Sequence, residues 1–484
     1  MDTVESVNYS PNVLDLHLLM YVGHYLLLPL LFLECFKELL SVLHVRLFSQ
    51  QLPLQRPEKI SKQLVISRSS LGSGQKLCRS MMEAPGPGPR QAPAEYQYVH
   101  RRAGHVMVAY DKRLFVWGGY MELPHAQPYT LMTTSKSSYH SAIDVWMFDP
   151  LLDKWTRKMS RGDIPQQLSG SCAAVHDQHM YLFGGWANIA TDDLENNLNF
   201  LWRLHLPSLT WTRLFPKGAP PFPCDKAACW VHNNRFFVFG GFGPAGNLKE
   251  MHDTGVNFVC DEVYSSGWID QLVYYHIGKN EWVWPKTKGP KPSPRAAHAA
   301  DVCGDNVYIF GGRFKETRMN ELHCLDLVDW TWSGNLTDLS VQEVPDGRSW
   351  HTFKFVSDNK AVVYGGFNSR QQVLKDIWVL DVSSRKWCPS LNSHAGRRLW
   401  HTAAVAHPGE VTFYGGIKNN LLDHTRPKDH AEEMLVLKFS PSSLQRLTIE
   451  AICKIGEKLR PQWKVLPHTL QHILAVRLSP DNFS

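Results

Sequence analysis

Arg313 and Arg318 stand five residues apart in the stretch VYIFGGRFKETRMNEL, residues 307–322, directly behind the glycine pair Gly311-Gly312. A guanidinium is a planar fork that matches a carboxylate with two parallel hydrogen bonds. Further cations (Arg102, Lys226, Arg295, Arg348 and Arg398) fall ahead of other apolar runs, and Trp268, Trp350 and Trp400 are interleaved with them. Cations converging on one opening repel each other unless an anion neutralises them. A basic, aromatic-lined cup therefore suits a peptide end that carries a carboxylate. The competing reading pairs individual cations with the chain's own carboxylates, such as Asp225 or Glu321.

Other chemistry is poorly served. A copper oxidase needs a clustered tyrosine, cysteine and two histidines, whereas His105, His298, His351 and His401 recur once per unit, as structural hydrogen-bonding residues do. The DHTRPKDH segment, residues 423–430, holds two histidines and two aspartates, but nothing fixes them on one face, so it is expected to be a solvated loop. No nucleophile elbow, phosphate loop or paired-carboxylate arrangement stands out. No catalytic residue, metal or cofactor is expected.

A repeated scaffold carries these residues. An apolar run ending in Gly-Gly recurs six times, with doublets beginning at Gly118, Gly184, Gly240, Gly311, Gly365 and Gly415. After the first five, Trp155, Trp211, Trp282, Trp332 and Trp387 each fall six residues beyond an Asp or His. A histidine or cysteine opens each unit: His105, Cys172, Cys229, His298, His351 and His401. Each unit reads as four short strands, with the glycine pair ending the second, where a side chain would block a neighbouring backbone, and the tryptophan filling the space between units. Such repeats bury their faces only by stacking, here radially. They resemble kelch motifs, and six of them imply an all-β, six-bladed kelch β-propeller with a short C-terminal helical tail. Residues ahead of the first strand and after the second then lie towards one mouth of the channel. The last unit shows three strands, with Leu444 where a tryptophan should be; EYQYV, residues 95–99, is placed to supply the fourth.

The 484 residues, 43% apolar and 20% charged, suffice for a sizeable core. The net charge of +6 is spread without a lysine-arginine run, which argues against a nucleic-acid footprint. Ten scattered cysteines with no C-x-x-C pair suggest reduced thiols and a cytoplasmic or nuclear setting. The expected organisation is a leader over 1–81, a Pro/Gly linker over 82–94, the propeller over 95–440, the tail over 441–477 and a disordered end over 478–484. The apolar run at 18–33 is shorter than the roughly 20 residues of a membrane helix, and acidic residues precede it. Three readings of the leader stay open: an optional extension ahead of a start at Met81 or Met82, a membrane-associating helix, and a packed amphipathic helix. A membrane role is not expected.

From about residue 95 to 476 the chain resembles kelch domain-containing proteins 1 and 2. The resemblance rests on MSRGDIPQQLSGSC, SPRAAHA, FGGRFKETRMNELH, GRSWHT, RLWHT and the tail. In the tail, Leu444, Thr448 and Ile452 fit an elongin-binding box, and Leu466, Pro467, Leu470 and Leu474 fit a cullin-2 box. The resemblance implies a non-catalytic substrate receptor of a cullin-2 RING E3 ubiquitin ligase. Its implied partners are elongin B, elongin C, cullin-2 and proteins ending in a Gly-Gly degron. It further implies that Arg313, Arg318 and Ser349 hold the degron carboxylate, and that Lys226, Trp268 and Trp350 line the pocket. Phe242 departs from the family's tyrosine, which removes one hydroxyl. The alternative function is a kelch scaffold that binds an internal acidic segment or a cytoskeletal partner.

Overall fold

The computed structural model describes residues 99–123, 136–187, 196–246, 251, 253–262, 265–338, 340, 343–390 and 395–479. The expectations for the leader and the linker lie outside these residues, as does the C-terminal end beyond Ser479; Leu478, expected in that end, packs against the tail core instead.

Six antiparallel sheets follow one another along the chain. Their innermost strands are Val106–Tyr110, Cys172–His176, Ala228–His232, Ala299–Cys303, Thr352–Ser357 and Thr402–His407. Each of these neighbours the next, and the last neighbours the first, so the sheets form the six blades of a closed propeller. Blades 1 to 5 each have at least four strands; blade 6 has three among the described residues. The proposed fourth strand at 95–99 lies outside the description except for Val99, which packs against the same apolar cluster as Met434.

The glycine pairs explain how the blades lock. Gly311 and Gly312 have φ of 67° and 103°, and a Cβ on Gly311 would lie 2.7 Å from the Arg348 carbonyl of the next blade. Gly312 N–H donates to that same carbonyl at 2.8 Å. Gly119, Gly185, Gly241, Gly366 and Gly416 likewise donate across to the next blade. A side chain here would separate the blades, so the doublet marks inter-blade contact.

The tryptophans fill the space behind. Trp211, Trp282, Trp332 and Trp387 pack on Trp117, Phe183, Phe239 and Phe310, the aromatic residue just before the glycine pair of the preceding blade. Trp155 of blade 1 packs on Tyr414 of blade 6, with ring centroids 5.0 Å apart, and so continues the pattern through the closure. Their fixed spacing comes from the turn: Asp149, Asp326 and Asp381 side chains accept backbone N–H bonds two or three residues on, capping the hairpin that leads to the tryptophan strand.

Two sequence expectations need correction. The residues equivalent to the buried histidines are Ser171 and Ala227, since each sits directly behind the ring residue described below; Cys172 and Cys229 lie one and two residues further along the chain. Arg102, Arg295, Arg348 and Arg398 do not line the mouth either. They are at most 2% exposed, and three of them donate to the first glycine carbonyl of their own blade. Arg295, Arg348 and Arg398 also pair with Glu321, Asp376 and Glu433.

Behind the propeller run α1 (Leu444–Ile455), a 3-10 stretch (Gly456–Val465) and α2 (His468–Arg477). Ile449, Trp463, Ile473 and Leu474 form their core, against Leu151 and Leu152 of blade 1. Arg446 pairs with Glu410 of blade 6 at 2.7 Å, while Arg477 donates to the carbonyls of Pro150 and Leu151 in blade 1. The tail thus spans the seam where the first and last blades meet. No helix among the described residues is long and apolar enough to cross a membrane.

Candidate functional site

One mouth of the propeller is built in concentric tiers. The innermost consists of Gly104, Gly170, Lys226, Ala297, Trp350 and Trp400, all with φ between 54° and 69°. Each N–H donates to the carbonyl of its equivalent one blade back, over 2.8–3.3 Å, and the six bonds close a circle. Left-handed backbone strains a bulky residue by about 1 kcal/mol or more, so Lys226, Trp350 and Trp400 are held there by the circle. A channel of about 550 Å³ runs beneath, lined by the inner strands.

The second tier is Ala103, Ser169, Asp225, Ala296, Ser349 and Leu399. Each bridges to the residue that follows its blade's glycine pair: Tyr120, Trp186, Phe242, Arg313, Phe367 and Ile417. The glycines therefore deliver Arg313 to this mouth. Arg313 and Arg318 face each other across a two-residue hairpin, whose reversal places both on one loop.

Arg318 and Ser349 meet around Phe367. The Arg318 guanidinium lies 5.3 Å from the Phe367 ring centroid, and Ser349 exchanges backbone hydrogen bonds with Phe367. Arg318 is 5% exposed and donates through Nη1 to the Glu316 carbonyl at 3.1 Å. Its Nε and Nη2, the Ser349 Oγ and the Trp350 indole nitrogen are buried without partners among the described residues. Burial, and then the neighbouring Arg313, push the Arg318 pKa down to about 10. Both effects report a cation short of an anion. Arg313 is looser: it bonds the Lys315 carbonyl and Glu316, and stacks over Trp268 at 5.4 Å.

The remaining sequence-predicted residues fall around this core. Trp268 is 2% exposed and touches Phe242 and Phe314 edge-on. Lys226 is paired with Asp225, and its ammonium lies 5.7 Å from the Trp400 ring and 5.8 Å from Phe242. Trp350 stacks on Trp400 at 5.7 Å. Of the seven expected mouth cations, Lys226, Arg313 and Arg318 are placed at this mouth. Sequence reasoning did not single out Phe367, the platform shared by Arg318, Ser349 and Trp350; its place directly after Gly366 was the available signal.

In the tail, Leu444 and Thr448 are exposed on α1, and the Thr448 hydroxyl donates back to the Leu444 carbonyl. Ile452, Leu466 and Leu470 pack partly into the tail core, and Pro467 is exposed at the start of α2. Leu474 is fully buried between the helices, so it acts in the tail core and presents no docking surface.

Comparison with known proteins agrees with the propeller. The family model for the KLHDC2/KLHL20/DRC7 Kelch-repeats domain matches residues 104–258 and 261–416. Kelch domain-containing protein 2 of Bos taurus is 35% identical over 83% of this chain and 97% of its own length. Kelch domain-containing protein 1 of Homo sapiens is 33% identical, over 77% of this chain and 89% of its own.

Proposed function

The chain belongs to the KLHDC2/KLHL20/DRC7 kelch-repeat family, and on that premise we propose that it is a non-catalytic substrate receptor. In this reading the mouth binds the C-terminal carboxylate of proteins ending in Gly-Gly, and the tail docks to elongin B/C and cullin-2 of a RING ubiquitin ligase in the cytoplasm or nucleus. The observation that carries the proposal is the set of buried, unpartnered donors on Arg318 and Ser349 around Phe367. Leaving such groups unsatisfied is costly, and a carboxylate supplies acceptors of the right number and charge. A terminal glycine suits the site because a larger side chain would compete with the carboxylate for space beside Phe367 and Trp350.

A peptide ending in Gly-Gly should bind as the free acid and lose affinity at least about tenfold when amidated, the worth of one charge-assisted hydrogen bond. Equal binding of acid and amide favours the scaffold that reads an internal acidic segment. For the tail, Leu444→Ser should abolish elongin capture with peptide binding intact, because Leu444 is 40% exposed and contributes little to the fold. Retained capture would reject the elongin assignment.

A further inference from the structure

The cup has two chemically opposite sides. Blades 4 and 5 present donors: Arg313, Arg318 and Ser349. Three blades from Ser349, at the same tier, stands Ser169, and beside it Asp225 of blade 3. Ser169 and Asp225 are each 3% exposed. The Ser169 hydroxyl lies 3.3 Å from the Tyr139 hydroxyl. One Asp225 oxygen pairs with Lys226, while the other, Oδ1, is buried with no partner among the described residues. The innermost residue here is Gly170, and a Cβ on it would lie 3.2 Å from Asp225 Oδ2, the oxygen paired with Lys226.

Resting on the peptide-end reading above, we propose that Asp225, Ser169 and Tyr139 form a second, acceptor subsite that takes backbone amide N–H groups of the bound peptide upstream of its terminal carboxylate. The class of donor follows from charge. Lys226 already neutralises Asp225, so the free oxygen accepts from a neutral N–H without needing a second cation. An extended peptide carries both halves of the match, an acceptor carboxylate at its end and donor amides behind it. The two sides of the cup would fix the direction in which the chain lies.

The test uses the full chain and a free-acid peptide ending in Gly-Gly, with one N-methyl group placed in turn on each of the last few amides. At one position, N-methylation should weaken binding to the native protein by about tenfold, as expected for a hydrogen bond to a charged group. In Asp225→Ala that penalty should largely vanish, because its partner is gone. Ser169→Ala, a smaller change, provides a second background and should reduce the same penalty if Asp225→Ala does not fold. Penalties that are equal in native and variant proteins, or absent at every position, overturn the subsite while leaving the carboxylate reading standing. Failure of the unmodified free acid to bind overturns both.

Discussion

Two groups of arginines occupy neighbouring places in this propeller; both are buried, and they differ in their partners. Arg295, Arg348 and Arg398 lie between the blades, at most 2% exposed, each with a carboxylate partner. Arg348 is the most complete case: it forks onto Asp376 and donates to the Gly365 and Asp346 carbonyls. Arg318 is also buried, but two of its nitrogens have no partner, and its nearest charged neighbours include another arginine. Arg398 also has two buried nitrogens without partners, Nε and Nη1, but Glu433 answers its charge, whereas no carboxylate pairs with Arg318 among the described residues. At similar burial the side chain thus serves stability where a carboxylate neutralises it and recognition where none does. Neither burial nor the number of unpartnered nitrogens distinguishes the two; the paired carboxylate does.

The sharpest way to break this contrast is to truncate each kind. Arg348→Ala should destabilise the propeller by about 3 kcal/mol, since it removes four hydrogen bonds, two to the Asp376 carboxylate and two to the Gly365 and Asp346 carbonyls. Denaturant melts should show it, and an unchanged midpoint would place Arg348 with the recognition group. Arg318→Ala should leave the melting midpoint unchanged or raised, because a strained buried cation is removed. It should weaken binding of a Gly-Gly free acid by at least about tenfold. An Arg318→Ala protein that melts lower yet binds the peptide with unchanged affinity would reverse the assignment.

A third test probes the buried layer from the solvent side. Burial, and then Arg295, hold His298 down to about 3, and His105, His351 and His401 are likewise lowered by burial. The folded protein disfavours their charged forms, so the stability they contribute is complete above the ordinary value of 6.5 and is lost as pH falls below it. Between pH 8 and 5 the loss through His298 should be about 2 kcal/mol. Urea midpoints should drop over that range, and less so in His298→Gln. An onset only at carboxylate pH would instead implicate Glu321, held near 2 by His323 and then Arg295.

The smallest effect concerns Phe242, beside Trp268 and Lys226. Phe242→Tyr adds one hydroxyl, worth about 1 kcal/mol if it finds a partner. Titration of the Gly-Gly peptide should show a gain of severalfold with no change in melting; a loss would mean that the ring edge is already filled.

Much of the fold was legible because it repeats. A glycine pair that must admit a neighbour's backbone, and a tryptophan whose spacing is set by an Asx turn, leave local marks that recur along the chain. The three described strands of the sixth blade were legible in HTAAVA, VTFYGG and EMLVLKF, with Leu444 where the other units carry tryptophan. Leu474 could not be placed, because a leucine at helical spacing looks the same whether it faces a partner or its own helix pair.

The arginines show where sequence stops. Their number, their nearness to the glycine doublets and the resemblance of GGRFKETR were all written in the chain. Which of them met a carboxylate was not, since the partners of Arg348 and Arg398 lie 28 and 35 residues away and are chosen by blade geometry. Ser169 and Ser349 are likewise indistinguishable as residues. Only ring closure sets them three blades apart, one beside an arginine and the other beside an aspartate, because a hydrogen-bond inventory is a property of surroundings and not of residue type.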